Sequence, residues 1–429
     1  MQLNPLLACR IACLVLLPAS AWAQLSVPSV SLGQALEAAS ANLDVTIARS
    51  VLAAGQAEIL VADRPPVPVV TLKSSQIDLQ NGTGAGNLLT RKRIDKSLGV
   101  DWTWERGDKR RLRTQAATSF AQAAQADVQE IITQQQIAAS NAFWELAAAQ
   151  ERASHVQGLY ELATHLEQTT AQRVKAGDLP ALEGMRADVE ARRAAGELQS
   201  VQLEQRRSEL ALRQILRRND EQPLVAQPTW PVLASQPPAV LQAQERSDVL
   251  AARLRVEAAE AAKSSALALR QSDITLGSSI DHYPSVSTRL VEFRVQIPLQ
   301  GVLGNHNYEG EAARALAQLN QAQDALEKVT RAADAEARRL AAEISTLAER
   351  ARQYQTVIVP RARQIAQLGE LAYSKGAMSL TELIDTRRTL RSVLLEELAV
   401  RADYARAYTV WQIRSRQLTA TLNNSARPQ

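Results

Sequence analysis

Few side chains in this sequence stand where they could do chemistry. The four histidines are His155, His165, His282 and His306. None is paired with another histidine, a cysteine or a carboxylate at a recognised ligand spacing. His306 lies beside Tyr308 and Glu309 at the start of a predicted helix, where a cation or metal is disfavoured, so it reads as structural. The glycines of "NGTGAGN" (81–87) fall between two predicted strands and not between a strand and a helix; they read as a turn and not as a phosphate cradle. No nucleophile elbow or zinc-protease motif is present. What remains is a set of charges placed around two glycines. Glu382 and Asp385 follow Gly376 by six and nine positions, and Glu183 and Arg186 follow Gly177 by the same intervals. Acids in the first turns of a helix suit its dipole. Nothing here points to catalysis, a cofactor or a bound metal.

The chain that must position these charges begins "MQLNPLLACRIACLVLLPASAWAQ". The apolar stretch Ile11 to Leu17 and the small-x-small site Ala21-Trp22-Ala23 read as a secretory signal peptide over 1–23. Both cysteines, Cys9 and Cys13, fall within it, so a mature chain would carry no disulfide and no thiolate site. Beyond it no run of 18 apolar residues is expected to form a transmembrane helix. The net charge of +4 comes from basic and acidic residues mixed along helical stretches. That mixing reads as a solvated helix surface and not as a nucleic-acid interface. Aromatic residues make up 4% of the chain, few for a compact core of this length but enough for long helices packed through Ala and Leu.

The two glycines define a repeat. "KAGDLPALE" (Lys175 to Glu183) aligns with "SKGAMSLTE" (Ser374 to Glu382), 199 positions apart. The helical run Arg110 to Val174 then aligns with Glu309 to Tyr373, and Ala181 to Arg217 with Leu380 to Arg416. Between the halves, "EQPLVAQPTWPVLASQPP" has five prolines and reads as a linker. The predicted units are therefore 24–218 and 245–429, joined by 219–244. Each glycine can take the left-handed conformation that ends a helix, so each break is the tip of a helical hairpin. The tips are Gly177, Asp178 and Leu179 in the first unit, and Gly376, Ala377, Met378 and Ser379 in the second. A narrow stripe of Leu380, Leu383, Leu390, Leu394 and Leu398 suits coiled-coil packing, interrupted by Arg387 and Glu397.

Each hairpin follows two predicted strands, about 66–80 and 96–105, then about 272–283 and 289–299. In the last, Val291, Phe293, Val295 and Ile297 alternate with Glu292, Arg294 and Gln296. That is a strand with one apolar and one polar face. Strands of this length match a bilayer. Four cannot close a barrel, and open edges in hydrocarbon leave backbone groups unpaired. Several chains must then share one barrel, and three would supply twelve strands. Val291, Phe293, Val295 and Ile297 would face lipid, Asp101, Glu292 and Arg294 would face water, and Trp102, Trp104 and Tyr283 are candidates for the interfacial belt. Asn305 is a candidate N-cap for the helix that follows.

The duplicated strand–strand–hairpin plan, the two tip segments and "VQIPLQGVLGNHNYEGEAARA" together resemble the TolC family of outer-membrane efflux ducts. "ERSDVLAARLRVEAAEAA" (Glu245 to Ala262) is most similar to the CzcC-like branch, associated with heavy-metal export. The resemblance implies a mainly α fold with a small β part: two long coiled-coil hairpins and four transmembrane strands per chain, and a twelve-stranded barrel shared by a homotrimer. It implies an outer-membrane location with a long periplasmic extension, no enzymatic activity and no cofactor. The partners it implies are a periplasmic membrane fusion (adaptor) protein, an inner-membrane RND-type pump and outer-membrane lipid. It also assigns a periplasmic gate: Glu382 and Asp385 as acidic rings, and Tyr373 bonding Glu183 as a latch between hairpins. Met378 replaces the arginine of a second latch seen in some members, and Arg186 is read as partly neutralising the ring. An outer-membrane factor for drugs or type I secretion, and a periplasmic coiled-coil adaptor or structural protein, are the competing readings.

Overall fold

The computed structural model of the chain describes residues 29–82, 94–218, 222–236, 238–239, 242–283, 287–298 and 307–425. The leader, most of the "NGTGAGN" turn, Asn305 and His306 lie outside them. In chain order the elements are β1 (Ser29–Val30), α1 (Leu32–Ala39), α2 (Leu43–Ala62), β2 (Val69–Ser75) and β3 (Asp95–Trp104). Then come α3 (Lys109–Lys175), α4 (Ala181–Leu216), β4 (Val225–Ala226), α5 (Ser247–Ala268), β5 (Ile274–Tyr283), β6 (Ser287–Gln296), α6 (Glu309–Gln353), α7 (Val359–Ser374) and α8 (Leu380–Ser425). The long helices and the four strands fall close to their predicted ranges, with β2 shorter at both ends. Ile297 lies one residue past β6 and is exposed.

α3 has 67 residues, roughly 100 Å at the helical rise. Its counterpart is not one helix. The repeat predicts an unbroken run from Glu309 to Tyr373, but a π-helical turn over Tyr354–Ile358 divides α6 from α7. The cause is Pro360, at the second position of α7. Its ring has no N–H to donate and would crowd the carbonyl of Thr356 in a regular α-turn, and the wider π-turn relieves this. The corresponding residue of the first repeat is Glu161, inside continuous α3. The start of α6 also differs from expectation. Its N-cap is Tyr308 in the left-handed region, φ 58°, with no side-chain cap bond, and not Asn305.

One helix also departs from the expected hydropathy. Leu32–Ala62, which covers α1 and α2, is long and apolar enough to cross a membrane by length and composition. In the fold α1 ends at Ala39, and α2 lies along α3. There the Asn42 amide donates to Gln135 Oε1 at 2.9 Å and the Gln135 amide to Asp44 at 2.7 Å.

β2, β3, β5 and β6 form one antiparallel sheet in that order. The register puts Asp101 opposite Gly277, and Gly277 opposite Arg294. Arg294 and Asp101 form an ion pair over Gly277, where an added Cβ would lie 2.3 Å from Asp101 Oδ1. This face is polar. The other carries Leu72, Leu98, Val100, Trp102, Trp104, Leu276, Ile280, Val291, Phe293 and Val295, all exposed. Tyr283 stands beyond a register shift that follows Asp281, at the far end of β5 from Trp102 and Trp104.

The buried core lies midway along the helices, where Phe143, Trp144 and Leu146 of α3 meet Leu212 of α4 and Ala405 of α8. The proline-rich connection is strapped to this core. Trp230 packs on Trp144 with centroids 5.1 Å apart, and the Tyr404 hydroxyl donates to Val232 O at 2.9 Å and accepts from Ala234 N at 2.8 Å. β4 pairs in parallel with β1. Beside this belt runs a buried ionic chain. Arg414 donates to both oxygens of Glu130 at 3.0 and 2.8 Å, lies 3.6 Å from Glu336, and Glu336 accepts from Arg246, which also holds Asp248. It ties α3, α5, α6 and α8 together. Glu130→Gln leaves a buried guanidinium without its main counter-charge. The expected cost is on the order of 3 kcal/mol, read as a lower thermal-unfolding midpoint in detergent, whereas Glu327→Gln, in an exposed pair on α6, leaves the midpoint unchanged.

Candidate functional site: the hairpin tips

Both tips close as the glycines predict. Gly177 has φ 84° and Gly376 φ 74°. Asp178 N donates to Arg173 O at 2.9 Å and Ala377 N to Ala372 O at 2.9 Å, the six-to-one bond of a helix ended by a left-handed residue. Gly177, Asp178, Gly376, Ala377 and Ser379 are exposed, while Leu179 and Met378, two positions after each glycine, are half-buried. Met378 and Tyr373 pack on a small core of Leu166, Ala187, Leu380, Leu383 and Ile384, which joins both hairpins.

The charged residues divide into two groups. Glu382 folds back on the tip: its Oε2 accepts from Ser379 N and Ser379 Oγ, each at 2.8 Å, while Ser379 Oγ accepts from Glu382 N at 3.3 Å. This is a capping box. The bond from the Ser379 backbone, then that from its hydroxyl, holds the Glu382 carboxyl below its ordinary value. Asp385 is exposed and stands 3.9 Å from Arg388. Glu183 accepts from Arg186 at 2.9 Å, and Arg186 also donates to Thr381 Oγ1 of the other hairpin at 3.1 Å. Among the described residues no hydrogen bond joins Tyr373 to Glu183 within the chain, and Glu183 Oε2 is buried without a partner.

A further set of contacts was not visible in the sequence. Arg388 pairs with Glu190 and Arg391 with Glu197, linking α8 to α4, while Arg401 pairs with Glu151 of α3. Arg387, which interrupts the leucine stripe, holds Glu370 of α7 with both ends of its fork at 2.8 and 3.0 Å and reaches Leu162 O of α3 at 3.2 Å. These guanidiniums form a ladder that fastens the second hairpin to the first. Glu190 holds the Arg388 guanidinium above its ordinary value. Two apolar stripes stay uncovered: Leu182, Met185 and Val189 on α4, and Ile365, Leu368 and Leu371 on α7. Among the described residues no group of three or more His, Cys, Asp or Glu is placed to hold a metal.

No protein-family model and no curated protein sequence matches the chain. Solved structures do. The chain is similar to CusC, with a TM-score of 0.74 and 16% identity over 91% of each chain. It is similar to the outer-membrane protein VceC of Vibrio cholerae, TM-score 0.72 and 19% identity over 90% of this chain and 95% of that one. It also matches the CmeC outer-membrane channel of Campylobacter jejuni, TM-score 0.75 and 13% identity over 91% and 85%. The fold is that of the TolC-like outer-membrane channels: mainly α, with two long hairpins and a four-stranded sheet.

Two outcomes test the tip geometry. Because the folded Glu382 carboxyl lies below its ordinary value, the box is complete above that ordinary value and is lost as pH falls through the lowered one. Amide exchange in the first turn of α8, corrected for intrinsic chemistry, should stay level down to mildly acidic pH and accelerate below it. Glu382→Ala should exchange fast at every pH. The ladder is tested by Arg388→Glu with Arg391→Glu, which sets like charges against Glu190 and Glu197. Limited proteolysis of the tips should speed up, and the swap Glu190→Arg with Glu197→Arg in the same chain should restore resistance.

Proposed function

We propose that the protein is the outer-membrane exit duct of a tripartite efflux system, a homotrimer that passively conducts substrate out of the cell. The observation that carries this reading is the sheet. Ten large apolar side chains cover one face, an ion pair spans the other, and the outer edges of β2 and β6 pair with no strand among the described residues. A soluble monomer rarely exposes so large an apolar patch, and in lipid the open edges demand strands from other copies. The uncovered stripes on α4 and α7 support the same conclusion, since copies arranged in a ring would cover them.

In this reading the tips lie in the periplasm and meet an adaptor protein, with an RND-type pump in the inner membrane behind it. Glu382 and Asp385, repeated around a threefold axis, form the cation-selective constriction. The Tyr373–Glu183 latch is made between neighbouring hairpins, using the Glu183 oxygen that finds no partner within one chain. Metal cations are the proposed cargo, on the likeness to the CzcC-like branch; substrate choice rests chiefly with the pump.

The reading is tested by separating outer membrane from soluble periplasm and by trimer survival in mild detergent. Recovery as a dissolved monomer would falsify it. In planar bilayers Asp385→Ala should raise conductance and weaken block by divalent cations, and no change in either sinks the gate assignment. A deletion strain exposed to a panel of divalent metals and dyes should lose metal tolerance first.

A further inference from the structure

A groove of about 870 Å³ lies where the sheet gives way to the helices. Its floor is the Gly107–Arg111 turn into α3. Trp104, at the end of the apolar face, forms one wall, and Asp63, just past α2, another. Its lining carries four basic side chains, Arg106, Lys109, Arg110 and Arg111, and three carboxylates, Asp63, Glu105 and Asp108.

Most of these charges are already paired: Lys109 with Asp273, Arg110 with Asp63, Arg111 with Asp108, and Glu105 with Arg113. Arg106 is exposed, and its guanidinium has no carboxylate partner among the described residues. Arg110–Asp63 and Arg111–Asp108 are exposed surface pairs, with side-chain exposures of 48%/56% and 66%/70%. Such pairs are weak, and either guanidinium can turn to a stronger acceptor. The first turn of α3 holds Lys109, Arg110 and Arg111 and no acid, and Asp108 makes no side-chain cap bond. Cations at a helix N-terminus oppose its dipole, an arrangement that an anion in the groove would reverse. The equivalent turn of α6 carries Glu309 and Glu311, so the repeat does not impose this pattern.

Position narrows the ligand. The groove adjoins β3, an inner strand, while the edges left for other copies are β2 and β6. It rests on the membrane reading above that Trp104 marks the boundary between hydrocarbon and headgroups, since Trp favours that depth. We propose that this groove is a binding site for an anionic phospholipid of the phosphatidylglycerol type. Its phosphate sits among Arg106, Arg110, Arg111 and the α3 amides, and its acyl chains lie along Trp104 and Trp102.

Native mass spectrometry of the purified full chain, released from nanodiscs of equimolar phosphatidylglycerol and phosphatidylcholine, tests the site. Retention should favour the anionic lipid roughly thirtyfold or more, as two or three basic groups at a membrane surface provide. Arg106→Ala with Arg111→Ala, which removes no buried bond, should reduce that preference to about fivefold or less while leaving insertion and oligomeric state unchanged. Inorganic phosphate at equal charge should not displace the lipid. Equal retention of both lipids, a preference that survives the double substitution, or displacement by free phosphate overturns the proposal. Insertion into pure phosphatidylcholine separates the two readings: a chain that inserts there without lipid preference loses this site alone, and one that enters no bilayer loses the duct reading as well.

Discussion

A backbone amide or carbonyl in hydrocarbon must find its partner in protein, and four strands leave two edges where it cannot. In the duct reading proposed above, this constraint organises the rest of the molecule. β2 and β6 present those edges, and the faces between them sort by the pleat alone: Val291, Phe293 and Val295 to one side, Glu292 and Arg294 to the other. Charge on the polar face is accommodated because Gly277 leaves room for Asp101 and Arg294 to meet above it. Ala at that position would place a methyl group inside the contact. The sheet is thus complete in the chemistry of its two faces, while its edge strands β2 and β6 pair with no further strand among the described residues.

Long helices raise the opposite problem, since their backbone is satisfied and only their relative phase is free. A stripe of Leu and Ala lets two helices slide by a turn at little cost. The belt midway along the chain removes that freedom. Trp144 donates to Thr409 Oγ1 at 2.9 Å, Tyr404 grips the connection between repeats, and the Glu130–Arg414–Glu336–Arg246 chain requires its four elements in one register. Buried ion pairs contribute little net stability but penalise every wrong alignment. That is the service a helix pair without a strict heptad needs.

Local patterns were legible in the sequence. The alternation in β6, the paired glycines at the tips and the end of α3 depend on residues within a few positions of each other, and each appears where its period or its left-handed conformation requires. Long-range partners were not legible. Arg388 and Glu190 are 198 positions apart, and neither stands out among the mixed charges of its helix. The connection reads as a linker because prolines forbid helix, yet Tyr404 and Trp411 hold it by its backbone carbonyls, which carry no sequence signal. Pro360 was visible, but its consequence is a single π-turn and not a break, because α8 runs alongside and Tyr354 is anchored to Glu396 across the gap. The apolar run of α2 is masked in the sequence by the polar residues that interrupt it. Hydropathy alone would send it into a membrane, and Asn42 and Asp44 show why it stays on α3.

The two kinds of ionic contact divide the molecule mechanically. At the belt, Arg414 and Glu130 are more than nine-tenths buried, and separating them exposes two charges to an apolar interior. At the tips, Arg388 and Arg391 are 42% and 35% exposed, so water can replace either carboxylate at small cost. A force applied at the hairpin tips therefore meets the ladder first and the belt last. The π-turn lies between belt and tip in the second hairpin alone, so the two hairpins do not resist bending equally. Exposed rungs and a wider turn thus coincide on the second hairpin.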